Sequence, residues 1–83
     1  MTLDTLKAYR YHIRHPTEQG FEDMAEVRHF VNTIPGEYIR KMISAYYLDG
    51  LTWPEVCAFC CPYLLPDCCR AIVKRYLKSI GVT

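Results

Sequence analysis

The stretch AYYLDGLTWPEV, residues 45–56, stops one helix and starts another almost back to back. Gly50 sits where a helix ends most easily, because glycine enters the left-handed region without a Cβ penalty. Thr52 then offers a hydroxyl to the first free amides of a new helix. Glu55, three residues on, reaches back to the Thr52 amide, which completes a capping box. Pro54 is tolerated in that first turn because its missing N–H would be unpaired there anyway. A connection this short forces two helices to meet at a corner, with Leu51, Trp53 and Val56 packing in its angle. A chain built round such a corner is a helical one.

The flanking sequence repeats the theme. Leu3, Leu6, Tyr9 or Arg10, and Ile13 recur at helical spacing and predict a helix over about residues 3–15, ended by His15-Pro16. A second helix is predicted over about 21–32, with Phe21, Met24, Val27, Phe30 and Val31 as its apolar stripe. Its early Glu22, Asp23 and Glu26 complement the positive end of the helix dipole. Thr33-Ile34-Pro35 ends that helix and opens a third, whose apolar face is Ile39, Met42, Ile43, Tyr46 and Tyr47. The helix from the capping box, about 53–61, stops at Pro62. The last runs from Pro66 or Asp67 to about Ile80. Its predicted inner side is Cys69, Ile72, Val73, Tyr76 and Ile80, with Leu77 at the margin. The expected architecture is an all-α bundle of about five helices in one domain, residues 1–83. Residues 1–34 form an N-terminal helical pair and 35–83 a C-terminal helix-turn-helix part.

Composition limits what such a bundle does. The formal charge of +1 rules out a global field for nucleic acid or membrane. It does not rule out a local patch. Arg70, Lys74, Arg75 and Lys78 follow one another with no acidic residue from 70 to the end. No apolar run reaches the length of a membrane span and no signal-peptide core opens the chain. An odd number of cysteines, five, argues against a fully paired disulfide framework and for reduced thiols in a cytoplasm. No glycine-rich phosphate loop or paired-carboxylate motif is present, so no enzyme is expected.

A short helix, a turn and a longer basic helix make the helix-turn-helix plan. In that plan the second helix enters the major groove of DNA and the first crosses the backbone. On this reading Lys74, Arg75 and Lys78 contact phosphates, which position a helix without reading sequence. Arg70 is the natural base reader, through a bidentate bond to guanine. Thr52 and the amides beside it are a candidate phosphate site, with simple capping as the alternative. Asp67 would repel phosphate. Tyr63 reads as a lid on the core or as a DNA contact.

The segment VRHFVNTIPGEYIRKMISAYYLDGLTWPEV resembles the start of region 4 of sigma-70-class factors, and still more the small phage and prophage transcriptional regulators that share this domain. Ile34-Pro35, Arg40, Ile43 and Tyr47 match the family's isoleucine-proline and the helix that follows it. Asp49-Gly50-Leu51-Thr52-Trp53-Pro54-Glu55-Val56 matches its corner, and Lys74-Arg75-Tyr76-Leu77-Lys78-Ser79-Ile80 is similar to the basic end of its recognition helix. The similarity covers residues 27–80. Between the two helices this chain carries Cys57, Cys60, Cys61, Pro62, Tyr63, Leu64, Leu65 and Pro66, where the family has a shorter, glycine-containing turn with a serine or threonine cap.

The cysteines admit a zinc reading, since Cys57-x-x-Cys60 has zinc-site spacing and Cys68-Cys69 follows. Packing as small hydrophobes is the stronger reading for Cys57, Cys60 and Cys69. Consecutive cysteines on a helix point about 100° apart and do not naturally share a metal. His12, His15 and His29 lie mostly beside charged residues and form no visible arrangement with a nucleophile. The expectation is therefore a cytoplasmic, DNA-binding transcriptional regulator without catalytic, metal or cofactor sites. Its contacts are Thr52, Arg70, Lys74, Arg75 and Lys78. Its partners are double-stranded DNA and either RNA polymerase or a second copy of the chain, met through the first two helices with Tyr9, Tyr11, Phe21 and Phe30 as candidate contacts; no membrane is involved. A protein-interaction adaptor on the same fold is the alternative, favoured by the unusual turn and by Tyr63-Leu64-Leu65.

Overall fold

A computed structural model describes all 83 residues. The chain is helical throughout, with no strand: α1 (Leu3–Lys7), α2 (Tyr9–Arg14), α3 (Glu18–Asn32), α4 (Glu37–Ile43, prolonged by a π-helical turn over Ser44–Leu48), α5 (Trp53–Cys60) and α6 (Pro66–Ser79). No helix is long and apolar enough to cross a membrane.

Two boundaries differ from the sequence reading. The first helix is divided at Ala8, which keeps helical angles but makes a tighter turn between α1 and α2. The next helix begins at Glu18 rather than Phe21. Thr17 caps it by accepting a hydrogen bond from the Gly20 amide at 2.9 Å. Gly20 therefore belongs to the first turn of α3 and not to a loop. A Cβ there would lie 2.9 Å from His12 Nδ1 and 3.0 Å from Thr17 Oγ1, so a larger residue would have to displace these side chains. The buried stripe is centred on Gly20, Val27 and Val31, and Phe21, roughly 100° round the helix from Gly20, is left in solvent.

Sixteen buried residues form one core drawn from all six helices and from Ile34, Cys61 and Val82 between and beyond them. α6 packs on both α5 and α4, while α2 packs on α3 and on the π-helical turn. Leu6, Val27, Ile43, Val56, Cys69 and Val73 are fully enclosed. Tyr9 is buried too, its hydroxyl within 3.4 Å of Arg28 Nη1, so it is a core residue and not part of an outer contact surface. On α6 the inner side is centred on Cys69, Val73 and Leu77. Leu77 is 2% exposed and Ile80 is 44% exposed, the reverse of their expected places. The difference lies at the helix end: α6 stops at Ser79, and Val82 folds back to bond its amide to the Leu77 carbonyl at 2.9 Å and is itself buried.

The corner forms as its residues dictate. The Asp49 amide donates to the Ser44 carbonyl at 3.0 Å and the Leu51 amide to the Ala45 carbonyl at 3.0 Å, so α4 ends in a widened turn. Gly50 leaves it at φ +75°. The Thr52 hydroxyl and the Glu55 carboxylate exchange bonds with each other's backbone amides, closing the capping box. Trp53 stacks on Tyr46 with ring centroids 4.1 Å apart and planes 14° apart. Two arginines hold the links between helices from outside. Arg40 donates to the Ile34 carbonyl at 3.0 Å, and Arg10 to the Asp49 carbonyl at 3.2 Å.

Candidate nucleic-acid interface

The four cations of α6 are all exposed, but they do not lie on one surface. Arg70 follows the buried Cys69 by one residue, roughly 100° round the helix. It faces a cleft between α6 and the first two helices, with Lys74 beside it one turn on. The cleft has a volume of about 400 Å³, and Lys7, Arg10, Arg70 and Lys74 rim a floor of Tyr46, Tyr47 and Trp53. Towards the chain ends, Lys7, Lys74 and Lys78 border a second depression. In the other direction Arg10 and Arg14 border a third. Lys78, Lys74, Lys7, Arg70, Arg10 and Arg14 thus form a continuous band in which no carboxylate side chain intervenes. Arg75 sits apart, in a groove with Ile39, Ile72, Tyr76 and Ser79. Arg75 and Arg70 therefore point to different sides of α6, since five residues turn the helix roughly 140° beyond a full circle.

None of these cations is neutralised within the molecule. The ion pairs present are His12 with Asp23 and Lys41 with Glu37, both elsewhere. Four carboxylates, Glu18, Glu22, Asp23 and Glu26, belong to α3. The other five, Asp4, Glu37, Asp49, Glu55 and Asp67, are distributed over α1, α4, the corner, α5 and α6.

Lys7, Arg10 and Arg14 were not expected at this surface. Their spacing, i, i+3 and i+7, places them on one helical face, and that was the signal available in the sequence. That this face would meet α6 is a matter of tertiary packing. Arg10 is the most fixed of them. Its guanidinium lies against Gly50, where a Cβ would come within 0.9 Å of Nη1. It also donates to the Asp49 carbonyl just past α4, where a cation is favoured by the helix dipole.

Thr52 is exposed, but its hydroxyl is spent on the cap, donating to Glu55 Oε1 at 2.9 Å. The Glu55 carboxylate accepts from the Thr52 amide at 3.0 Å, so the anion position at the start of α5 is already filled. Those two bonds hold the Glu55 carboxyl below its ordinary pKa.

The link from α5 to α6, residues 61–65, has another character. Leu65 precedes α6 without any side-chain cap. The Leu64 amide donates to the Cys61 carbonyl at 3.0 Å, and the buried Cys57 thiol donates to the Leu64 carbonyl at 2.6 Å, with the Cys61 carbonyl 3.4 Å away. Phe59, Tyr63 and Leu65 project from this end, 75%, 74% and 70% exposed, so Tyr63 is no lid on the core. Cys57, Cys61 and Cys69 are buried and Cys68 is exposed. Burial, and after it the neighbouring Cys57 thiol, pushes the Cys69 thiol up to about 11. No three cysteine, histidine or acidic side chains converge as metal ligands would.

Comparison with family models, with curated proteins and with solved structures gives no significant match.

Proposed function

We propose that the protein is a DNA-binding transcriptional regulator in which α5 and α6 act as a helix-turn-helix of the sigma region 4 type. The observation that carries this reading is the outer surface of α6. Lys74, Arg75 and Lys78 are exposed, free of ion-pair partners, and spread over both flanks of a helix whose inner side is fully packed. A helix lying in a major groove has a phosphate backbone on each side, and cations on both flanks suit that position. Lys74 and Lys78 face one strand in this arrangement and Arg75 the other. Arg70, turned towards the cleft, serves the backbone rather than a base edge. Weak sequence readout follows, because the remaining early positions are Asp67, Cys68 and Ala71. A protein of this size gains affinity from RNA polymerase or from a second copy bound alongside.

The test is a salt titration of binding to labelled duplexes of unrelated sequence. Affinity falls steeply with salt in proportion to the phosphates neutralised. Lys74→Ala and Lys78→Ala weaken binding to all duplexes alike and each lowers the salt slope by about 1. No binding of the folded wild type at low salt would defeat the reading. The second reading, a protein-interaction adaptor on the same fold, is favoured by the exposed Phe59, Tyr63 and Leu65. It predicts binding that is insensitive to Lys74→Ala and lost when Tyr63 and Leu65 are made polar.

A further inference from the structure

The cleft between α6 and the first two helices lies outside the helix-turn-helix itself, and it has features that a structural role does not explain. Lys7, Arg10, Arg70 and Lys74 converge on it from three helices, with no carboxylate side chain among the lining residues. Like charges gathered without a counter-charge repel one another, so the arrangement carries a standing cost that a bound anion removes. Arg10 is accounted for in part by its bond to the Asp49 carbonyl. Lys7, Arg70 and Lys74 make no hydrogen bond or ion pair through their side chains. The floor is rigid and partly aromatic, since Tyr46 is stacked on Trp53 and Tyr47 is buried. At about 400 Å³ the cleft is in the size range of small-ligand sites, roughly 300–1,000 Å³. The band continues past the cleft on both sides, to Lys78 and to Arg14, which suits a polyanion that runs across the surface better than a small isolated one.

We infer that this cleft is a seat for a backbone phosphate of the bound duplex, held jointly by Lys7 and Arg10 from the N-terminal helices and by Arg70 and Lys74 from α6. The inference rests on the DNA-binding reading and extends it: the N-terminal helices become part of the nucleic-acid interface. They anchor the strand that passes along the cleft side of α6, and they fix the angle at which α6 lies on the DNA. Because the contact is to phosphate, it adds affinity without sequence preference.

Lys7 is the residue to test, because it is exposed and has no bond whose loss would disturb the fold. Duplex affinity is measured against salt for the wild type, Lys7→Ala, Lys7→Arg, Lys74→Ala and the Lys7→Ala/Lys74→Ala double variant, with unfolding midpoints as a control. Lys7→Ala lowers the salt slope by about 1, as one lost phosphate contact does, and Lys7→Arg restores it. Trp53, the single tryptophan, reports occupancy of the cleft through its fluorescence. Its signal changes on adding duplex and does not change with inorganic phosphate at millimolar concentration. If the wild type binds and Lys74→Ala lowers the slope while Lys7→Ala leaves it untouched, the seat is disproved and the DNA-binding reading stands. If inorganic phosphate alone alters the Trp53 signal and Lys7→Ala abolishes that response without changing the duplex slope, the cleft serves a free anion and the duplex assignment is wrong. If the folded wild type binds no duplex at all, both the reading and the inference fall.

Discussion

The two links that flank α5 make opposite use of their residues. At the corner from α4, local rules agree. A glycine takes φ +75°, a threonine and a glutamate close a capping box, and a tryptophan stacks on the tyrosine before it. At the link to α6 they do not. Prolines bound it, no side chain caps α6, and the link is held by the Leu64 amide bonded to the Cys61 carbonyl and by the buried Cys57 thiol against the Leu64 carbonyl. The difference extends to the surface. The corner lies beside the cationic cleft, through Arg10 and Trp53, while the other link presents Tyr63 and Leu65 to solvent. An over-determined link holds its neighbours in fixed positions, and that is the link on which the charged groups are assembled.

The comparison breaks most readily at Gly50. Gly50→Ala forces a Cβ residue into the left-handed region and drives the Arg10 guanidinium from its place. Strained backbone of this kind costs about 1–3 kcal/mol, to be read in chemical denaturation. Displacement of Arg10 also weakens duplex binding, so stability and affinity fall together. A smaller effect is expected at the other link. Cys57→Ala removes the donor to the Leu64 carbonyl and costs about 1–2 kcal/mol, whereas duplex affinity per folded molecule stays close to wild type. An equal loss of affinity from both variants would show that the two links are not distinct in function.

The smallest effect is one of pH. The Glu55 carboxyl titrates below its ordinary value of 4.5 because the Thr52 amide and hydroxyl bond its ionised form. A depressed pKa in the folded state gives stability that is present above the unfolded value and lost as pH falls through the folded one. Thermal midpoints of the wild type and Glu55→Gln should therefore differ at neutral pH and converge once the pH drops well below 4.5. A gap that stays constant over this range would mean that the capping box does not depend on the carboxylate charge.

What was legible in the sequence follows the same division. The corner could be read residue by residue because everything that forms it lies within a few positions. The inner stripe of α4 was legible for the same reason, with Met42, Ile43 and Tyr47 buried as their spacing required. The start of α3 was not, because Gly20 reads as a turn residue until His12 is seen packed against it. The ends of α6 were legible, but the places of Leu77 and Ile80 on it were not, because Val82 returns to the core, a contact beyond the helix's own periodicity. The cleft was invisible because Lys7 and Arg10 meet Arg70 and Lys74 only through the packing of α1 and α2 on the rest, across some sixty residues of chain. The exposed cationic side of α6, by contrast, followed directly from a run of basic residues at helical spacing.

The most direct test is a residue-resolved map of amide chemical shifts as the isotope-labelled protein is titrated with a short duplex. The account predicts that the changes cluster on the outer side of α6 around Lys74, Arg75 and Lys78 and across the cleft at Lys7 and Arg10, with Phe59, Tyr63 and Leu65 unmoved. Changes confined to Phe59–Leu65, or none anywhere at low salt, would contradict it.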